Sequence, residues 1–135
     1  VSLFVCGDLG LGEGAVLYLG GPVTGTSDYV QRFRYMYNFI KRRTRYEVLR
    51  SAGLLPANLS WEASLHISKA MVDICDAVVF MFGFRDSRGC RVEFLHARAI
   101  GKSCYEIRVV DDEGSPEGRG IKFVPVVDVW WEGGI

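Results

Sequence analysis

The stretch CDAVVFMFGFRDSRGCRVEFLHARAIGK, residues 75–102, decides the fold. Its first ten residues are the most strand-like in the chain, an apolar run rich in Val and Phe that suits a strand covered on both faces. A polar, glycine-containing turn follows, and after it the spacing changes. Cys90, Ala97 and Ile100 stand three before, four after and seven after Glu93, the period of one helical face. A strand that runs into a helix in this way is the repeating piece of an α/β fold. It also places a carboxylate, Glu93, in the apolar stripe close to the helix start.

The alternation extends in both directions. Upstream, AVLYLGG (15–21) reads as a buried strand and PVTGTSDY as a loop. Ser27 or Asp28 can cap a helix reaching about Arg43, with Val30, Phe33, Tyr37 and Ile40 at helical spacing. YEVLRSA is a short strand. After the loop GLLPANLS, Ser60 can cap a helix that starts at Trp61, has Glu62 in its first turn and carries Leu65, Val72 and Cys75, with Lys69 at its rim. Downstream, SCYEIRVV is a strand, DDEGSPEGRG a turn-rich excursion and IKFVPVVDVWW the last strand. Strands alternating with helices predict a parallel sheet covered on both faces. Ligands bind such sheets beyond the carboxyl ends of the strands, which gathers residues 20–25, 50–53 and 83–93 around one crevice.

The totals fit one domain. The chain has 135 residues, 49% hydrophobic and 24% charged, enough for a sizeable core spanning 14–135. Residues 1–13 are predicted to be an irregular extension. Gly10, Gly12 and Gly14 precede the first clear strand instead of following it, so they do not read as a dinucleotide fingerprint. Sixteen basic residues cancel sixteen acidic ones, leaving no charge excess to favour nucleic acid or an anionic membrane. No apolar run approaches the roughly 18 residues of a membrane span. The opening VSLFVCGDLG lacks the basic region and long apolar core of a signal peptide, so a cytoplasmic location is expected. Cys6, Cys75, Cys90 and Cys104 are scattered without a C-x-x-C pair, which predicts buried thiols in a reducing compartment; neither a metal nor a cofactor is expected.

Several residues carry possible chemistry. In YLGGPVTG, Gly20 and Gly21 permit close backbone approach by a ligand, Pro22 stiffens the exit, and Thr24 and Gly25 offer a hydroxyl and N–H groups; the plainer reading is a tight turn. Glu93 is held ionised by the helix dipole while desolvation pushes its pKa upward, which suits a nucleophile or base in a dry pocket. The alternative is a rim residue paired to Arg88, Arg91 or Arg98. Ser87 lies in the turn that enters the helix, where it serves as an N-cap, as part of a phosphate site, or as both. Asp76 reads as an anchor for a loop or helix end, and His66 and His96 as rim residues. The basic run within 32–45 reads as a solvated helix face. Trp130 and Trp131 face opposite ways on a strand, so one is available to a second copy of the chain.

YLGGPVTG, LLPANLSWEASL and CDAVVFMFGFRDSRGCRVEFLHARAIGK together resemble the nucleoside 2-deoxyribosyltransferase-like superfamily. The nearest likeness is to small phage and bacterial proteins of unassigned function and to the deoxynucleoside 5′-monophosphate N-glycosidases. The resemblance covers about residues 15–108. It implies a flavodoxin-like (Rossmann-like) three-layer sandwich with a five-stranded parallel sheet, usually as a homodimer, acting on a small-molecule deoxynucleotide or nucleoside. The implied chemistry is hydrolysis of an N-glycosidic bond, or deoxyribosyl transfer between bases. In that comparison Glu93 matches the catalytic glutamate, and Tyr18, Gly20, Gly21 and Pro22 match a loop that lies against base and sugar. Ser87 and Gly89 of the S-x-G motif match a phosphate-binding turn, since a serine there can donate to a phosphate that an aspartate would repel. The position of the acid that assists proton transfer is occupied by Ser68, and Asp73, five residues on, faces another way. This departure motivates the alternative of a catalytically weak or inactive nucleotide-binding module.

Overall fold

The computed structural model describes residues 5–6 and 9–127. Among the described residues six strands and three helices follow in the order β1 (Val5–Cys6), β2 (Val16–Gly20), α1 (Tyr29–Arg43), β3 (Glu47–Leu49), α2 (Trp61–Ile74), β4 (Ala77–Phe80), α3 (Arg88–Ala99), β5 (Ser103–Asp111) and β6 (Arg119–Pro125). A short 3₁₀ turn, Phe84–Asp86, joins β4 to α3. All strands lie in one sheet of order β1-β6-β5-β4-β2-β3.

The sheet is mixed, which corrects the expectation of a purely parallel one. Strands β3, β2, β4 and β5 are parallel neighbours, but β6 returns antiparallel to β5, with Ile107 opposite Phe123. Residues 112–118 are folded into a tight connection in which Asp112 N–H donates to the Gly118 carbonyl and Gly118 N–H to that of Ser115. A parallel return would need a crossover of a dozen residues or more, so this length dictates a hairpin. The extension before β2 is not wholly irregular either: β1 pairs in parallel with Ile121 and Lys122 of β6. Leu9 and Leu11 pack against the core, and Leu9 N–H donates to the Tyr46 hydroxyl at 3.3 Å. Trp130 and Trp131 lie outside the described residues.

Alternation along β2 builds the two faces. Leu17 and Leu19 join Val79, Ile107 and the buried side of α1, while Tyr18 turns to the opposite face with Val78, Phe80, Val72 of α2, and Cys90, Phe94 and Ala97 of α3. The result is a helix–sheet–helix sandwich. On α1 the buried set is Phe33, Met36, Phe39 and Ile40, with Val30 and Tyr37 only half-buried. Asp28 stands at its N-cap without making the side-chain bond expected of it. Ser60 does cap α2, accepting from Ala63 N–H at 3.1 Å. Ile100, expected in the apolar stripe of α3, is exposed, because the helix ends at Ala99. The basic end of α1 is ion-paired and only partly solvated, Lys41 to Glu47 and Arg42 and Arg43 to Glu117, with Arg43 lying over the Phe39 ring. Asp76 pins the start of β2, accepting from Val16 N–H at 2.8 Å. Cys75, Cys90 and Cys104 are buried free thiols. Among the described residues, no helix is long and apolar enough to cross a membrane.

Candidate active site

Strands β2 and β4 are neighbours in the sheet, yet the segments leaving their carboxyl ends depart to opposite faces, β2 toward α1 and β4 toward α3. This divergence opens a crevice at the switch point. A cavity of about 350 Å³ occupies it, within the roughly 300–1,000 Å³ common for small-molecule sites. All three expected segments contribute: Gly21, Val23 and Thr24 after β2, residues 51–53 after β3, and Ser87, Gly89, Cys90 and Glu93 after β4.

Glu93 sits in the second turn of α3 and is buried. The Tyr18 hydroxyl donates to its Oε2 at 2.9 Å. Burial lifts the Glu93 carboxyl to a pKa of about 7, against smaller opposing contributions from the Tyr18 and Ser68 hydroxyls, which favour the charged form. Tyr18 is itself pushed well above the usual phenol range, by burial first and then by the negative charge of Glu93, while a hydrogen bond from Ser51 works the other way. The second carboxylate oxygen, Oε1, lies 3.1 Å from where a Cβ on Gly20 would stand, and the Phe80 ring lies 3.0 Å from the same point. The missing side chain at Gly20 therefore makes room for Glu93 and Phe80 rather than for a ligand directly. Gly21 is equally constrained from behind, where Met81 Cε would meet its Cβ at 2.7 Å.

Ser87 is the N-cap of α3, its Oγ accepting from Cys90 N–H at 3.2 Å. The hydroxyl proton is not used by that bond, so the cap leaves a donor at a helix amino terminus beside the cavity. Cys90, one turn on, has its thiol pushed far up, mainly by burial and then by the neighbouring Glu93 charge. It stands in the wall of the cavity, where burial favours the neutral thiol over the thiolate. Arg88 stacks over the Trp61 ring at 4.5 Å, bringing a cation beside that wall of the cavity.

Residues 15–106 match the model of a family described as a domain of unknown function, DUF4406. The chain belongs to this family. No curated protein and no solved structure matches it. The DUF4406 segment runs from the start of β2 into β5, so it contains the whole lining of the cavity, while β1 and β6 fall outside it.

Within this DUF4406 domain the expected site residues separate into three groups. Gly21, Thr24, Ser68, Ser87, Gly89 and Glu93 line the cavity. Tyr18 and Gly20 lie behind Glu93 and act on the cavity through it. Pro22 lines a neighbouring space, and Gly25, at φ +81°, serves an exposed turn and lines neither. Ser68 is buried, with its hydroxyl donating to the Leu65 carbonyl at 3.1 Å. Asp73 is on the other side of α2, 2.7 Å from His96. The sequence reading assigns no site role to Tyr29, and it uses LLPANLSWEASL only for the resemblance and a helix start, although that stretch supplies Leu55, Pro56, Ala57, Leu59, Trp61 and Ser64 to the wall. Nothing in their spacing marks them, because the start of α1, the loop after β3 and the first turn of α2 meet at the crevice only in three dimensions. Among the described residues no cluster of His, Cys, Asp and Glu is arranged to hold a metal, and Glu93 supplies the cavity's one carboxyl group.

Proposed function

We propose that the chain hydrolyses the N-glycosidic bond of a 2′-deoxynucleoside 5′-monophosphate, with deoxyribosyl transfer to a second base as the close variant. The observation that carries this reading is Glu93: a buried carboxylate in the lining of a small-molecule cavity, with Oε2 held by the Tyr18 hydroxyl. The strand order around β2 and β4, with helices on both faces, agrees with the flavodoxin-like assignment behind it.

In the first step Glu93 Oε1 attacks the anomeric carbon as the bond to the base breaks. The electron pair leaves with the base, which takes up a proton, and the transition state resembles an oxocarbenium ion. Tyr18 keeps its hydrogen bond to Oε2 and orients the carboxylate. In the second step water attacks the same carbon, the glycosyl ester breaks to restore the Glu93 carboxylate, and the proton released balances the one the base acquired. A second base in place of water gives transfer. The Ser87 hydroxyl and the N–H groups at the start of α3 suit the 5′-phosphate.

One observation favours a second reading. Among the described residues the cavity offers no further carboxyl or imidazole to protonate the leaving base, and Ser68 occupies the position that the family resemblance gives to an acid. Without that acid the same pocket is a slow enzyme or a nucleotide-binding module. Incubation with a mixture of deoxynucleotides, followed by chromatography, separates the two. Free base and deoxyribose 5-phosphate, absent with Glu93→Gln, are the expected products. Intact substrates at high protein concentration would sink hydrolysis. Thermal stabilisation by a nucleotide without product would then support the binding module, and no stabilisation would overturn both.

A further inference from the structure

The space at Glu93 does not end at its polar wall. Thr24 and Ser87 also line a second cavity of about 260 Å³, bounded further by Pro22, Arg32, Phe82 and Asp86. Arg32 and Phe82 are in turn shared with a third space of about 330 Å³, formed with Tyr35, Met36 and Val109. Shared walls place the three spaces next to one another. Taken together as one groove, they run from the carboxylate of Glu93, past Ser87 and Arg32, to an apolar trough.

Each station has unspent chemistry. Arg32 donates to the Phe82 carbonyl at 3.4 Å and forms no ion pair among the described residues, unlike Arg42, Arg43 and Arg45, which are paired. Phe82 is 78% exposed although it directly follows the buried β4 and Met81. Tyr35 and Val109 beside it are also open to solvent. A large ring held in water next to an unpaired cation fits a ligand with an aromatic group and an anionic link. Asp86 limits how much negative charge the middle station accepts and offers acceptors to sugar hydroxyls. Two bridging phosphates suit it better than an unsubstituted triphosphate chain.

We propose that the groove extends the Glu93 site to nucleotides joined through a 5′,5′-pyrophosphate to a second nucleoside. One nucleoside lies at Glu93, the two phosphates span Ser87 and Arg32, and the second base stacks on Phe82 beside Tyr35. This rests on the nucleotide reading of the Glu93 cavity and specifies the substrate class within it. Stacking of one base on an aromatic side chain and a charged hydrogen bond to phosphate each change affinity by about tenfold or more.

The test compares the four common deoxynucleoside 5′-monophosphates with their symmetric 5′,5′-pyrophosphates, using the wild-type chain, Arg32→Ala and Phe82→Ala. The wild type should show a kcat/KM for one extended substrate about tenfold or more above that of its monophosphate, mainly through KM. Both variants should lower that preference, each by about tenfold. Monophosphates cleaved as well as extended substrates, or a preference unmoved by either variant, would overturn the extension while leaving the glycosidase reading intact. If nothing is cleaved, thermal shifts of Glu93→Gln decide it. A larger shift with the extended ligand, reduced by Phe82→Ala, supports the groove, and equal shifts or none refute it. A change in oligomeric state for Phe82→Ala with unaltered ligand preference would assign Phe82 to a contact between copies instead.

Discussion

Replacing Glu93 by Gln should stabilise the protein above neutral pH and do nothing at low pH. Glu93 has an ordinary value of 4.5 when exposed and about 7 in the folded chain, with burial as the main cause. Between those values the folded state holds a proton that the unfolded state has released, so stability falls as pH rises through this window. A shift of this size corresponds to about 3 kcal/mol, fully present above pH 7 and absent below 4.5. Gln is the uncharged isostere, accepts the same hydrogen bond from Tyr18 and does not titrate. The difference between the two chains therefore isolates Glu93 from every other group. For 135 residues, 3 kcal/mol is about 10 °C in Tm.

The assay is thermal or urea unfolding of both chains at half-unit steps from pH 4.5 to 8.5. The two should coincide at the acid end and diverge steadily, with Gln the more stable. A difference that stays flat with pH would mean that Glu93 titrates normally and that the cavity is wetter than its burial implies. A difference of opposite sign would mean that something holds the carboxylate charged more strongly than Tyr18 and Ser68 do.

Other outcomes follow from the same geometry. If Glu93 is the nucleophile it must be ionised, so kcat/KM should climb about tenfold per unit on the acid side and level off above a midpoint near pH 7. Tyr18→Phe removes a donor to the charged form and should move that midpoint upward by about one to two units, read from the pH–rate profile. Gly20→Ala places a methyl 3.1 Å from Glu93 Oε1 and 3.0 Å from the Phe80 ring; about 1–3 kcal/mol of stability and most of the activity should be lost, by unfolding and rate measurements on one sample. Ser87→Ala should cost about 1 kcal/mol as a lost cap, and weaken binding of a deoxynucleoside 5′-monophosphate more than that of the free nucleoside by calorimetry.

Much of this arrangement was legible in the chain, and the misses have identifiable causes. Continuous apolar runs located β2 and β4, helical spacing located α2 and α3, and the switch-point rule gathered three distant loops around the cavity. Sequence placed Glu93 in a buried stripe because Cys90 and Ala97 flank it at helical spacing. The antiparallel β6 was overlooked although DDEGSPEGRG is too short for a crossover, so loop length was the neglected signal. On α1 the buried face includes Met36 and Phe39, because the helix rotates more of its surface onto the sheet than a single stripe predicts. The bond between Tyr18 and Glu93 spans 75 residues, and no local pattern encodes it. It arises because alternation on β2 sends Tyr18 to the face where α3 packs.

That bond also bears on why a carboxylate stands at position 93 at all. Desolvation makes the charged form costly, and the two hydroxyls beside it only partly offset this. Gln would fill the same volume and keep an acceptor for the Tyr18 hydroxyl without the charge, so packing alone gives no reason for Glu. The surroundings are nonetheless arranged around it: Gly20 gives up a side chain to clear Oε1, Tyr18 is buried with its hydroxyl committed to Oε2, and Ser68 and Ser51 are buried polar neighbours in a largely apolar layer. A group that lowers stability while three elements accommodate it is the pattern expected where reactivity, and not packing, sets the residue. The Gln variant tests this directly, since it should gain stability at neutral pH and lose turnover in the same preparation.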